Sequence, residues 1–407
     1  NLSKLKNNSE IIPFQISLST QCFINEYLFE KTDIESLHIS ELEENIKINL
    51  TQNCCPTANE LACLASYKPL SSFSWLSPST IPIEIKTIYL RQALEPKKEK
   101  LLTKKIQSLQ KITNEISTKV RDQYEQNPYP RWVNLNLHKL PKTIPDSVKE
   151  SKLKIQNNKI LKVGAPKVLV AGCGTGQHSI FVAKRYKDCH VLAIDLSLNS
   201  LAYAKRKTDE LNFSNIEYMH ADILDLSTTN RKFDIIECAG VLHHMGDPMA
   251  GWKTLVDSLK PGGLMKIGLY SKLARQHITK IRSEIKKENK MLSNEYIKSH
   301  RNRIINSKKE HHIRITSSPD FYNMSSIRDL LFHVQEHQFT IPEIKNCLDE
   351  LGLIFCGFES TKRISDIINK ENSITTDNMY CLDAWEEFEI NNPRTFVGMY
   401  QFWCQKI

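Results

Sequence analysis

Three glycines at alternate positions, Gly172, Gly174 and Gly176, close the apolar run VLVA at 168–171, and Asp195 closes the next apolar run 19 residues after Gly176. A buried strand that stops at GxGxG has to turn tightly into a helix, and bare backbone there lets a ligand come close. A carboxylate at the tip of the neighbouring strand can accept both hydroxyl protons of an adenosine ribose. The chemistry this predicts is nucleoside binding. The dinucleotide spacing GxGxxG requires glycine at position 177, where the chain has Gln177, and this disfavours NAD. His243 and His244, in GVLHHMGDP, are placed after another apolar run and supply imidazoles able to take a proton near neutral pH. His333, Glu336 and His337 spell HxxEH, the pattern of an inverted zinc-protease helix. With no third protein ligand at motif spacing, no metal is expected there.

The elements that must position these groups repeat at a steady beat. After the first two runs come HADILDL at 220–226, KFDIIECAG at 232–240, and LKPGGLMKIGLYS at 259–271, whose Pro261-Gly262-Gly263 marks a turn. Strand, helix and strand at roughly 20 to 30 residues is the rhythm of βαβ units, so the fold class is α/β. In order and spacing, residues 167–271 resemble the class I S-adenosylmethionine (SAM) dependent methyltransferases. The resemblance implies a Rossmann-like, seven-stranded sheet with S-adenosyl-L-methionine as cofactor. It places Gly172, Gly174, Gly176 and Gln177 along the methionine part and ribose, and Asp195 on the ribose hydroxyls. Leu196 then lines the adenine slot, Asp222 accepts from the adenine amino group, and Ile223 offers its backbone N–H. His243 and His244 fall beside the transferable methyl. The family usually has an acidic residue two positions before the first glycine, where this chain has Val170; Gln177, His178 or Arg131 is left to hold the cofactor's amino group.

Just upstream, RDQYEQNPYPRW at 121–132 presents Tyr124, Tyr129, Arg131 and Trp132 on a segment that two prolines stiffen. This string is similar to one in methyltransferases linked to bacterial tetratricopeptide repeats. An aromatic strap suits a sulfonium, because ring faces attract cations. Tyr124 and Arg131 are assigned to the cofactor and Tyr129 to the acceptor; the plainer alternative is a hydrophobic clasp. Methyl transfer is an in-line displacement, so alignment supplies most of the acceleration, and a base is needed only for a nucleophile that carries a proton. The Asn/Asp-Pro-Pro-aromatic string of nucleobase amino-methyltransferases is absent, which argues against exocyclic base amines.

Residues 1–120 read as a helical extension and 121–407 as the methyltransferase domain, with a helical lid insertion at 271–340. Thr32 and Glu35 are spaced as a capping box, and Leu101, Ile106, Leu109, Ile112, Ile116 and Val120 suggest one amphipathic helix over 96–120. No repeat is detectable, but the chain begins at Asn1 and its first segments resemble a repeat-to-methyltransferase linker, so repeats are expected upstream. Over 271–316 there are 13 Lys/Arg against 4 Asp/Glu, an excess equal to the +9 charge of all 407 residues. That concentration fits solvated helices, an acidic partner or, less favoured, RNA. Arg328, His333 and Glu336 are expected over the cleft, recognising a small-molecule or protein acceptor. Helix 341–351, a sixth strand at 354–358 and an antiparallel seventh within TFVGMYQFW close the sheet, with the C-terminal aromatics as core.

Eleven scattered cysteines with no CxxC pair suggest reduced thiols and a cytoplasmic protein. No run approaches the ~18 apolar residues of a membrane span, and no signal-peptide pattern opens the chain. The rival readings are an RNA methyltransferase, a non-catalytic SAM-binding module, and a zinc hydrolase built on HxxEH.

Overall fold

A computed structural model describes residues 10–137, 140–359, 364–366 and 374–407. The chain forms two compact units, one of Asn1–Lys104 with Ile281–Phe332, the other of Lys105–Lys280 with His333–Ile407. The division thus falls at 104/105 and not at 120, and most of the 271–340 insertion is grouped with the N-terminal residues. Specific bonds account for this. The Asn323 side-chain amide donates to Ile24 O, and Ser325 N donates to Glu26 Oε2 at 2.6 Å, joining the insertion to the first helices.

The first unit is helical. Helices Asp33–Thr51 and Ala58–Ala65 each begin with a complete capping box, Thr32 with Glu35 and Thr57 with Glu60. Their apolar faces meet in a core around Ile46, Leu61, Leu64 and Ile85, all fully buried.

The second unit is built on an eight-stranded sheet of β1 (Gln107–Ser108), β2 (Lys167–Ala171), β3 (His190–Asp195), β4 (Ile216–His220), β5 (Phe233–Ala239), β6 (Leu259–Tyr270), β7 (Leu353–Phe358) and β8 (Met399–Lys406). Their spatial order is β1-β4-β3-β2-β5-β6-β8-β7. All neighbours run parallel except β8, which lies antiparallel between β6 and β7, as the sequence suggests. The expected seven strands are present, and β1 is an eighth. It arises inside the segment read as one helix over 96–120, which is instead helix Glu95–Leu102, the strand, and helix Glu115–Gln126 capped by Asn114. An open sheet edge offers that backbone partners a helix would forgo: β1 pairs with Met219 and His220, and Leu109 N donates to His220 O at 2.9 Å.

Side chains alternate across the sheet. Leu169, Ala171, Ile236 and Cys238 enter one core, Val168, Val170, Val191 and Ile235 the other. Burial on both faces explains why these strands read as unbroken apolar runs. The first core continues into Trp385, Phe388, Phe396, Tyr400 and Phe402, the aromatic cluster expected there.

Candidate active site

The site gathers at the C-terminal ends of the parallel strands, where chain reversals leave strand tips open. All three loop glycines have positive φ: +71° at Gly172, +51° at Gly174 and +85° at Gly176. Bare backbone was expected here for the approach of a ligand. On the Cβ side of two of these glycines the space is taken by protein: a Cβ on Gly172 would lie 2.2 Å from Val241 Cγ2, and one on Gly174 would lie 2.8 Å from the Tyr129 carbonyl oxygen. Loop packing therefore already excludes a side chain. Gln177 opens the helix Gln177–Arg185 that follows.

Asp195 ties this turn to the next strand. Its Oδ2 accepts from Gly174 N at 2.7 Å and its Oδ1 from Ser197 N at 2.9 Å. Burial raises the carboxyl to about 6, although the Ser197 and Gly174 amides pull the other way. A carboxylate has about four lone-pair sites, so two amide donors leave acceptor capacity for two hydroxyls. Leu196 is half-buried, and its carbonyl oxygen accepts from His220 Nε2 at 2.9 Å. At the tip of β4, buried Asp222 accepts from Leu224 N at 3.1 Å, with Ile223 buried beside it.

The strap grips the turn from outside. Trp132 Nε1 donates to Thr175 O at 3.1 Å, Thr175 Oγ1 donates to Pro130 O, and the Tyr203 hydroxyl donates to Trp132 O. These bonds favour the clasp reading for Trp132. Tyr129 and Arg131 are half-buried beside it, and the Tyr124 ring lies 5.7 Å from that of His333. Glu125, which sequence reasoning passed over within the same string, accepts from Leu198 N and from Asn199 N at 3.2 Å. It thereby places a negative charge at the start of helix Leu198–Glu210.

The acidic residue missing at Val170 has a counterpart one strand away. Glu237 of β5 is the register partner of Val170 and is fully buried. Its Oε2 accepts from His178 Nε2 at 2.8 Å and its Oε1 from Arg185 at 3.1 Å. Burial alone would raise this carboxyl, but Arg185 and then His178 outweigh it and hold it well below the usual carboxylate range. The signal in the sequence was a second acidic residue, three positions after Asp234, inside the apolar run FDIIECA.

Past β5, the histidines form a dry cluster. His243 is fully buried, its ring stacked on Tyr270 at 3.7 Å, and neither of its nitrogens has a hydrogen-bond partner. Burial, reinforced by His244, Arg275, His333 and His337, pushes its pKa well below the ordinary imidazole value. His244 donates from Nδ1 to Gln335 O at 2.7 Å and stacks on His333 at 3.6 Å. The Arg275 guanidinium lies 3.5 Å over the Tyr270 ring and pairs with Glu336 at 3.0 Å, both side chains being buried.

One expectation is corrected here. HxxEH is not on a helix: helix Met324–Phe332 ends before His333, and residues 333–338 run as a loop anchored by His337 N to His243 O at 2.7 Å. Glu336 is engaged by Arg275, so the context of an inverted zinc motif is missing. His333 and Glu336 belong to the second unit, whereas Arg328 falls in the first and donates to Asn294 Oδ1 at 2.8 Å.

Part of the chain is similar to known methyltransferases. Residues 168–263 match the family described as "Methyltransferase domain". An uncharacterized Synechococcus protein is 25% identical over 246 residues, 56% of this chain and 57% of its own length. Phosphoethanolamine N-methyltransferase 1 of Arabidopsis thaliana is 35% identical over 104 residues, 26% of this chain and 21% of that protein. Ubiquinone biosynthesis O-methyltransferase of Psychrobacter cryohalolentis is 28% identical over 139 residues, 33% of this chain and 53% of that one. The matches therefore span less than two thirds of each relative. Among solved structures, PKMT2 from Rickettsia typhi in complex with AdoHcy superposes with a TM-score of 0.49 at 18% identity, over 69% of this chain and 55% of that one. Residues 168–263 are therefore similar to methyltransferase domains.

Proposed function

We propose that the chain transfers a methyl group from SAM to an oxygen, nitrogen or sulfur nucleophile of a small molecule. The observation that carries this reading is the Asp195 carboxylate, bonded to Gly174 N at the glycine turn and retaining acceptor capacity. When bound, SAM supplies an activated methyl on a sulfonium sulfur. Asp195 holds the ribose, Asp222 and Ile223 at the tip of β4 meet the adenine, and Leu196 flanks it. His178, fixed by Glu237, stands in the first turn of the helix after the glycines, where Gln177 and Arg131 also offer polar groups to the methionine end.

The histidine cluster supports the acceptor side. His243 is neutral at physiological pH because of its burial, so a protic nucleophile beside the ring gives it both a hydrogen-bond partner and a proton to accept. Tyr129, His333 and Glu336 are the groups we assign to binding and orienting the acceptor, with His244 beside the transferable methyl and Tyr124 on the cofactor. Relatives named for phosphoethanolamine and for ubiquinone biosynthesis favour a small molecule over a protein side chain. A cytoplasmic setting is part of the same proposal; among the described residues no helix is long and apolar enough to cross a membrane.

The test is transfer of labelled methyl from SAM into separated small-molecule, protein and RNA fractions, with Asp195→Ala as control. Label in the small-molecule fraction that disappears with the substitution supports the reading. Label only in RNA would transfer the assignment to the basic insertion, and none in any fraction would leave a binding module.

A further inference from the structure

The first unit contains a side-chain cluster that methyl transfer does not use. Helix Gln276–Glu288 carries Glu284, and the short helix Glu310–Ile315 carries His311 and His312. His311 Nε2 lies 3.0 Å from Glu284 Oε1, and His312 Nε2 lies 2.8 Å from Glu284 Oε2. Adjacent residues on a helix normally project about 100° apart. Here the two imidazole centroids are only 4.5 Å apart, so both rings converge on one carboxylate. One donor atom from each of the three side chains can be chosen so that all lie within 4.8 Å of one another. Burial would raise the Glu284 carboxyl, but hydrogen bonds from Lys309, His311 and His312 outweigh it and hold the group at about 2, fully ionised. His312 is buried, and its Nδ1 has no hydrogen-bond partner.

We propose that Glu284, His311 and His312 form a site for a divalent transition-metal ion of the zinc type. Two imidazole nitrogens and one carboxylate are a recognised zinc donor set, with water as the fourth ligand. Zinc bonds of about 2.0–2.2 Å place tetrahedral ligands roughly 3.3–3.5 Å apart, so the 2.8 and 3.0 Å contacts would open by a few tenths of an ångström while the wider separations, none above 4.8 Å, would close. The Lys309 ammonium, 2.8 Å from Glu284 Oε1, is on an exposed side chain and is free to withdraw with its proton. Each neutral imidazole moves its N–H from Nε2 to Nδ1 as Nε2 takes the metal, and a protonated ring releases one proton to solvent. The ion would pin helix Gln276–Glu288 to helix Glu310–Ile315 and stabilise the folded chain by mass action.

The experiment is titration of the full chain, first stripped with chelator, using Co²⁺ as optical probe and Zn²⁺ by calorimetry. Expected are one equivalent bound, a tetrahedral cobalt absorption, and a rise in Tm with Zn²⁺. His311→Gln and Glu284→Gln should each weaken binding at least tenfold with the circular dichroism spectrum unchanged, and His333→Ala should have no effect. Stoichiometric uptake should also persist in Asp195→Asn, which separates this outcome from that of the methyltransferase reading. Failure to bind an equivalent of either metal, binding that survives the double variant His311→Gln/His312→Gln, or loss of binding in His333→Ala overturns the proposal.

Discussion

Gly174 and Asp195 are joined across two strand tips by a 2.7 Å hydrogen bond from backbone to carboxylate. The group proposed to hold the ribose is therefore the same group that shapes the glycine turn. With its carboxyl raised to about 6 by burial, Asp195 is protonated in mildly acidic solution. Affinity for S-adenosylhomocysteine should rise as pH increases through about 6 and then level off. Asp195→Asn should flatten that dependence and weaken binding by tenfold or more, measured by calorimetry between pH 5 and 8. The linked effect on stability has the opposite sign. A raised carboxyl favours the folded state below its unfolded value near 4, and that contribution is lost as pH climbs towards 6.

Gly174→Ala places a methyl group 2.8 Å from the Tyr129 carbonyl at a φ of +51°. The neighbour is backbone, so relief requires the strap itself to shift. Strain of roughly 1–3 kcal/mol is expected, with displacement of the strap. Urea unfolding should show a lower midpoint, and cofactor affinity should fall together with stability.

Glu237→Gln tests the buried charge opposite Val170. The substitution leaves Arg185 and His178 without their anion inside the fold, and a loss of about 3–5 kcal/mol is expected from breaking one partner out of a buried ion pair. Because the folded carboxyl is depressed, its stabilisation is complete above the unfolded value near 4.5 and drains away as pH falls below it. Wild-type and variant denaturation midpoints should converge in acid. Equal separation at pH 7 and pH 3 would refute this assignment.

His243→Asn separates proton transfer from wall-building. If His243 accepts the acceptor's proton, kcat should fall by about 10²–10⁴ while cofactor affinity stays within threefold. With SAM saturating, the wild-type kcat should hold below pH 6, because burial keeps the imidazole neutral there. A change in acceptor KM alone would assign the ring to packing against Tyr270.

The parts of the site legible in sequence were those whose signal is local. A glycine turn after an apolar run, an acidic residue closing the next run, and Thr-x-x-Glu caps at Thr32 and Thr57 all depend on neighbours a few residues away. The antiparallel β8 was legible because its alternating aromatics have one buried arrangement available in that sheet order. Features set by distant partners were not legible. β1 exists because β4 has a free edge, and Glu237 comes beside Val170 only through strand register. Residues 333–338 leave the helix because His243, His244 and Arg275, 61 to 94 positions earlier, bind their backbone and side chains. Periodicity has no access to such pairings.

Trp132 gives the strap an optical use. Its indole nitrogen is bonded to Thr175 within the glycine turn, while Trp252, Trp385 and Trp403 sit in the sheet cores and Trp75 packs against the helical core of the first unit. Ligand entry that shifts the turn by a fraction of an ångström would alter the polarity around this one indole. Intrinsic emission thus offers a label-free readout of cofactor loading, and Trp132→Phe supplies its blank.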